Sequence, residues 1–384
     1  MARPPGIILM ILLIGNYALD RQQSMQRFAT MMLDGLTAAG IQAEIIQPRP
    51  FFGRVQFAGG FIAKWLAYLD KFVFFRRQLA RRLSRGAGVV HICDHSNAMI
   101  ARWIGGAPVL VTCHDLLAVR GALGEQTDCP ATATGKMLQR WIVRGLEGAD
   151  AVACVSEATL EDARRLVKVR RGKPRLEHIL SGLSYPYRVL PAAEAQARLA
   201  QHSALPAGTP FVLHVGSNLR RKNREGVLRI FARTRLQWDG LLVVAGDPLS
   251  SSLHSLGQQL GITQRIIEIP GPSNELLEAL YNCATALLFP STFEGFGWPI
   301  AEAHACGCPV LCADRNPMKE VAGAAALAFP LEDEESFARK LLELAEPEVR
   351  AHWSAKAVEN ARRFSTERMI AEYVDLYRSL APSL

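Results

Sequence analysis

The feature that most constrains the fold is a repeated alternation: apolar runs of four to eight residues separated by longer amphipathic stretches, arranged in two series along 384 residues. Strands buried on both faces read as near-continuous hydrophobic runs, so this is the pattern of a parallel α/β sheet with helices between its strands. In the first series strands are expected at Ile7–Ile14, Ala43–Ile46, Val89–Cys93, Val109–Cys113 and Ala151–Val155, with a helix over Ser24–Ala39. In the second they are expected at Phe211–Val215, Leu241–Ala245, Ile266–Ile269, Ala286–Phe289 and Val310–Ala313. Between the two, Tyr185–Pro210 carries Pro186, Pro191, Pro206 and Pro210 around one short Ala-rich helix, a linker composition. The expected organisation is therefore a doubly wound domain over 1–190, a linker over 191–209, a second doubly wound domain over 210–360, and a closing helix in 361–384 packed back toward the first. Two such sheets facing each other create a cleft. Ligands of such sheets lie beyond the carboxyl ends of the strands, so functional residues are sought there.

Composition narrows the setting. The most apolar run, Ile7–Ile14, is far shorter than the roughly 18–20 residues needed to cross a bilayer, and Gly15, Asn16 and Tyr17 after it do not form a leader cleavage site. A cytoplasmic address is expected. The eight cysteines are scattered, with Cys93, Cys113, Cys154 and Cys283 in apolar contexts, which suits reduced buried thiols. Charge is uneven: residues 1–190 hold 25 Lys/Arg against 14 Asp/Glu, the remainder 19 against 22. Much of the excess lies in Pro48–Gly88, with nine basic residues, nine aromatics and a single acid, Asp70. Basic and aromatic residues mixed on an expected helix, Phe61–Leu83, are what an anionic membrane surface attracts, each Lys or Arg adding up to about 1 kcal/mol. The alternative is a packed helix with a solvated basic face. No nucleic-acid motif accompanies the charge, and no nucleic-acid partner is expected.

After the strand ending at Phe289 comes FPSTFEGFGWPIAEAHACGCPV, in which seven residues separate Glu294 from Glu302. Gly295 and Gly297 let backbone approach a ligand, and Pro299 fits the first turn of a helix whose N–H groups and positive dipole end face the loop. A diphosphate can sit there. Carboxylates beside a phosphate site need other work, and accepting hydrogen bonds from sugar hydroxyls is the obvious one; the alternative is a packing loop with solvated acids. After the strand ending at Val215, GSNLRRKN places Arg220, Arg221 and Lys222 where cations can neutralise a diphosphate and the charge that grows on it as it leaves. His304, Cys306 and Cys308 lie close in sequence but read as packing residues rather than metal ligands.

Together these segments resemble glycosyltransferase family 4, whose hallmark is a glycine-rich loop between two glutamates in FPSxxEGFGxPxxEAxAxGxPV. The likeness continues through Pro317, Glu320, Val321, Gly323 and Pro330, and upstream through the RKN segment, Thr112-x-His114-Asp115 and Val155–Thr159. The resemblance implies the GT-B fold and a retaining transfer of a hexosyl unit from a nucleotide-diphosphate sugar, such as GDP-mannose or a UDP-sugar, without metal or other cofactor. The acceptor implied is a glycan or a lipid-linked glycan of the cell envelope, as in polysaccharide or lipopolysaccharide synthesis, at the inner face of the cytoplasmic membrane if the basic segment binds lipid. It assigns Arg221 and Lys222 to the donor diphosphate, Glu302 to the ribose and Glu294 to the transferred sugar. Gly216, Ser217, Gly295, Phe296 and Gly297 complete the donor site. His114 matches the family's cleft histidine, beside sugar and acceptor; its plainer role is a structural histidine after a strand. Many members carry paired glycines after the first strand, where this chain has Gly15, Asn16 and Tyr17, so an acceptor and phosphate loop at Gly15 and Asn16 departs from the pattern.

Two other functions could use a pair of doubly wound domains. A dehydrogenase of two α/β domains is excluded by the absence of a G-x-G-x-x-G after the first strand. A non-catalytic nucleotide-sugar sensor or scaffold would keep the same donor residues but have no need of His114.

Overall fold

The apolar runs pair into two six-stranded, all-parallel sheets in a computed structural model that describes residues 10–20, 22–52, 69–201, 205–206 and 208–382. The chain divides into two compact units, one of Met1–Ser184 with Thr366–Leu384 and one of Tyr185–Ser365.

In chain order the first unit contains β1 (Ile11–Ile14), α1 (Gln23–Ala38), β2 (Ala43–Ile46), a π-helical turn Asp70–Phe74 running into α2 (Phe75–Leu83), and β3 (Val89–Ile92). A 3-10 run His95–Trp103, β4 (Val109–Cys113), α3 (Leu117–Ala122), α4 (Ala133–Leu146), β5 (Ala151–Cys154), α5 (Glu157–Leu166) and β6 (Arg175–His178) follow. The sheet order is β2-β1-β3-β4-β5-β6. One face packs Leu12, Ile14, Val90, Ile92 and Val111 against Phe75 and Leu79 of α2, Ala98 of the 3-10 run, and Ile142 and Leu146 of α4. Each fully buried aliphatic or aromatic side chain of this kind contributes about 1.5–3 kcal/mol. Of the expected first strand and basic helix, Ile7–Leu9 and Phe61–Tyr68 lie outside the described residues.

The second unit contains α6 (Ala192–Ala200), β7 (Phe211–Gly216), α7 (Arg224–Arg233), β8 (Leu241–Gly246), α8 (Ser251–Gln259), β9 (Ile266–Pro270) and α9 (Asn274–Cys283). After these come β10 (Ala286–Phe289), α10 (Trp298–Ala305), β11 (Val310–Ala313), α11 (Met318–Ala322), β12 (Leu327–Phe329), α12 (Glu334–Ala345) and α13 (Pro347–Ala361). The sheet order is β12-β11-β10-β7-β8-β9. The proline-rich segment before β7 packs onto this unit: the buried carboxylate of Glu278 on α9 accepts from Arg188 N at 3.1 Å and from Arg198 Nη1 of α6 at 2.7 Å.

The last helix, α14 (Thr366–Leu380), belongs to the first unit. It covers the opposite sheet face through a polar relay: His91 Nδ1 and Tyr377 Oη are 2.7 Å apart, His91 Nε2 and Thr112 Oγ1 2.7 Å, and Thr112 Oγ1 and Tyr373 Oη 2.8 Å. Burial pushes His91 down to about 3, so the relay is neutral. Beside it α1 approaches α14 closely, because Gly35 faces Ile370 where a Cβ would come within 2.5 Å of Cγ1.

Candidate active site

In the second unit, β7 ends at Gly216 and the chain makes a 3-10 turn, Arg220–Lys222, before Asn223 caps α7. Asn223 sits in the left-handed region, φ 49°, one of few side chains that tolerate it. Its Oδ1 accepts from Gly226 N at 3.2 Å and its Nδ2 donates to Pro290 O at 3.1 Å, while Thr292 N donates to Arg221 O at 2.7 Å. These bonds stitch the turn after β7 to the loop after β10. The result is a charge triad: Lys222 Nζ lies 2.6 Å from Glu294 Oε1 and Arg221 Nη1 2.6 Å from Glu294 Oε2. Arg221 also donates to Phe293 O at 3.0 Å, and the Lys222 ammonium lies 5.1 Å from the centroid of the Phe289 ring.

Only 7% of the Glu294 side chain and 10% of the Lys222 side chain are exposed. Burial works against both charges. At Glu294 it pushes the carboxyl up, but the charges of Lys222 and Arg221 outweigh it and hold the group below the usual carboxylate range. At Lys222 burial draws the ammonium below the usual lysine range against the opposing pull of Glu294. Gly216 lies against the Lys222 stem, where a Cβ would come within 3.4 Å of Cγ and Cδ, and half-buried Ser217 continues the same turn.

Gly297, at φ 102°, precedes α10, and Pro299 occupies its first turn. The Phe296 side chain is committed to packing edge-on to Phe364 at 5.9 Å and to Trp298 at 6.2 Å, so between Gly295 and Gly297 the backbone carries the loop's polar groups. Glu302 adds its charge to those acting on Lys222, and its Oε2 accepts from Tyr281 Oη at 2.8 Å. Tyr281 is fully buried on α9, and burial together with the Glu302 charge pushes its phenol well up, so it stays a donor. Sequence reasoning missed Tyr281; its place on the helix before β10, facing the helix after it, was the available signal. Tyr281→Phe is expected to raise the donor KM about tenfold while changing kcat little, since a hydrogen bond to a charged group contributes about 1.5–3 kcal/mol. Steady-state kinetics check this split; an equal fall in kcat would assign Tyr281 a different role.

In the first unit, Asn16 is 2% exposed and both halves of its amide are engaged. Nδ2 donates to Asp94 Oδ2 at 2.6 Å and to Gln22 Oε1, and Oδ1 accepts from Asn97 Nδ2 at 3.1 Å. Asp94, directly after β3, caps the 3-10 run by accepting from Ser96 N at 2.9 Å, and its Oδ1 lies 3.2 Å from His95 Nδ1. Burial pushes Asp94 up, but the neighbouring histidines and its hydrogen bonds bring it below the usual range. His114 follows β4: its Nε2 donates to Cys93 O at 2.9 Å and its ring meets Phe28 edge-on at 4.7 Å. Burial lowers its pKa against the pull of Asp94. Gly15 abuts Gln47, whose Oε1 would be 3.3 Å from a Cβ. The structure thus brings Asn16 and the surroundings of His114 together through Asp94, which sequence reasoning missed. The remaining motif residues shape backbone: Ser156 caps α5, accepting from Thr159 N at 3.1 Å, and Asp115 Oδ1 accepts from Leu117 N at 3.0 Å.

Among the described residues no group of three His, Cys, Asp or Glu side chains is placed to hold a metal ion, and no helix is long and apolar enough to cross a membrane. His304 is buried with Asn360 Nδ2 2.9 Å from its Nδ1, and burial raises the Cys306 and Cys308 thiols.

A family model for glycosyltransferase family 4 matches residues 25–176, and one for group 1 glycosyl transferases matches 196–364, so the two together span both units. The chain belongs to glycosyltransferase family 4. Among family relatives, a D-inositol 3-phosphate glycosyltransferase of Saccharomonospora viridis is 31% identical over 294 residues, covering 72% of this chain. An O-antigen chain mannosyltransferase B of Escherichia coli is 25% identical over 255 residues, covering 64% of this chain. In each case the match spans 65% of the relative's own length, a little under two thirds. A sucrose-phosphate synthase structure from Thermosynechococcus elongatus superposes with a TM-score of 0.76 at 21% identity, over 98% of this chain and 100% of that one. That likeness shows the GT-B fold, built from two Rossmann-like domains.

Proposed function

We propose that this family 4 member is a retaining hexosyltransferase that takes its sugar from a nucleotide diphosphate. The triad of Arg221, Lys222 and Glu294 beside the start of α10 carries the reading. As the bond from the sugar's anomeric carbon to the diphosphate breaks, charge grows on the departing phosphate; two cations and the α10 N-terminus are preorganised to meet it. Glu294 offsets the burial that draws the Lys222 ammonium down, and offers its oxygens to the sugar when the donor competes for the cations. Glu302, oriented by Tyr281, accepts from the ribose. Phosphate charge is handled here by protein cations, with no step assigned to a metal.

The donor is tested by thermal shift with UDP, GDP, ADP and their sugar conjugates, followed by transfer assays. A ligand at 100 times its dissociation constant stabilises by about 2.7 kcal/mol, and Lys222→Ala is expected to abolish the shift. No stabilisation by any nucleotide at saturation would remove the reading; stabilisation without transfer to any envelope glycan would make the protein a binder.

The relative that bears an O-antigen name supports an envelope-glycan acceptor, and the basic surface of α2 supports its delivery at an anionic membrane. Arg76, Arg77 and Arg81 are exposed on α2, while Val73, Phe74 and Phe51 are exposed beside it. Arg82 is different: it pairs with Glu44 and donates to Gly86 O at 2.8 Å, so it fastens α2 to the sheet edge.

A further inference from the structure

The crossovers β2–α2–β3, β3–β4, β4–α4–β5 and β5–α5–β6 all step in one direction along the first sheet, whereas β1–α1–β2 steps the other way. Right-handed connections therefore place α2, the 3-10 run and α4 on one sheet face and α1 on the other. The shared packing of Phe75, Ala98 and Ile142 on the same strand residues agrees with this. The outer sides of α2 and α4 consequently look away from the sheet in the same sense.

The outer side of α4 is unusual for a water-facing helix. Met137 and Trp141, one turn apart, are 47% and 44% exposed, and Leu123, at the end of the packed helix α3, is 64% exposed. Lys136, Arg140 and Arg144 form an exposed row at spacings of four along the same helix. Neither α2 nor α4 contains an acid, and none of these three cations pairs with a carboxylate among the described residues. Like charges four apart disfavour a helix in water. Such a row gains only against an extended negative surface, and a tryptophan between cations is the side chain that settles at the headgroup level.

We propose that α4 is a second membrane contact, so that the first unit lies on anionic lipid along the face formed by α2 and α4, with Trp141 and Met137 entering the headgroup layer. This rests on the membrane reading given above for α2 and extends it to a helix outside the Pro48–Gly88 segment. Charge complementarity and the common orientation of the two helices commit the face to lipid rather than to a small ligand.

The test is co-sedimentation of the full chain with phosphatidylcholine vesicles containing or lacking phosphatidylglycerol, at low and high salt. The variants are Lys136→Gln/Arg140→Gln/Arg144→Gln, Arg76→Gln/Arg77→Gln/Arg81→Gln, and Trp141→Phe, each confirmed as folded by its thermal melt. Each basic residue at such a surface contributes about a fivefold factor. The α4 triple variant is therefore expected to bind anionic vesicles at least about tenfold more weakly, and Trp141→Phe to lose part of the fluorescence quenching caused by brominated lipid chains. If the wild type ignores anionic vesicles, the membrane reading falls, and this extension with it. If the wild type binds and the α2 variant releases while the α4 variant and Trp141→Phe behave as wild type, the extension alone falls. Capture by an acidic polypeptide that the α4 variant loses, with vesicle binding unchanged, would assign the face to a protein partner and overturn the proposal.

Discussion

Glu294→Ala is expected to lower kcat/KM for transfer about 10²–10³-fold and, at the same time, to cost about 3–5 kcal/mol of folding stability. The position of Glu294 on a loop would suggest a change harmless to the fold. The structure corrects that expectation, because the carboxylate is nearly buried and is bonded to Lys222 and Arg221, so its removal strands a buried ammonium. Glu294→Gln separates the two effects: shape is kept, one acceptor remains for Lys222, and the stability loss should be smaller while transfer still fails. Adding Lys222→Met to Glu294→Gln should recover part of the stability, since the buried ammonium is then gone and only the more exposed Arg221 has lost its carboxylate, but not activity. The pH dependence has a definite sign. The folded pKa of Glu294 lies below its unfolded value of about 4.3, so its stabilisation is complete above that value and is lost as pH falls through the lower folded pKa. Urea melts across pH 3–6 should show that loss in the wild type and less of it in Glu294→Gln. Near-normal turnover of either variant at saturating donor would remove Glu294 from the site.

Most of the fold was legible because its strands are buried on both faces. LLVVAG and ALLF admit few other readings, and β2, β4, β10 and β11 were expected over the ranges they occupy. The strands that escaped notice are those for which this logic fails. β6, with the sequence RLEH, is an edge strand with solvated ends, and β12 is three residues long. Neither has the apolar run that marks a central strand. The helix start at Trp298 was legible from Gly297 and Pro299, and the proximity of cations and Glu294 from their places after β7 and β10. What sequence could not supply was partnership. The triad depends on Asn223 adopting a left-handed conformation and bonding across to Pro290, and the orientation of Glu302 depends on a tyrosine 21 residues earlier. Asn16 was expected in an acceptor and phosphate loop, and its sequence context gave no sign that its amide is bonded to a carboxylate 78 residues away.

That carboxylate carries the second large effect. Asp94→Ala is expected to destabilise the first unit by about 2–4 kcal/mol and to reduce transfer by at least about tenfold. Asp94 does three things with one buried group: it caps the 3-10 run through Ser96 N, it anchors the Asn16 amide, and it lies beside His95. Removing it costs a cap, about 0.5–2 kcal/mol, and strands a buried amide donor. Asn16→Ala alone should cost less, because Asp94 keeps its cap and its histidine. With Asp94 gone, Asn16 has lost the partner that made it stabilising, so the double variant should be little worse than Asp94→Ala. The cycle should therefore return a coupling of about 0.5–3 kcal/mol. Acid should reveal the same contact: the folded pKa of Asp94 is depressed, so its contribution is complete above the unfolded value of about 3.9 and disappears as pH falls through the folded one. Urea melts of the wild type, both single variants and the double variant measure the coupling, and donor and acceptor KM values show which substrate the β1 loop serves. Additive stability losses, or a rise in donor KM with acceptor KM unchanged, would mean that Asn16 and Asp94 act separately or that this loop does not position the acceptor.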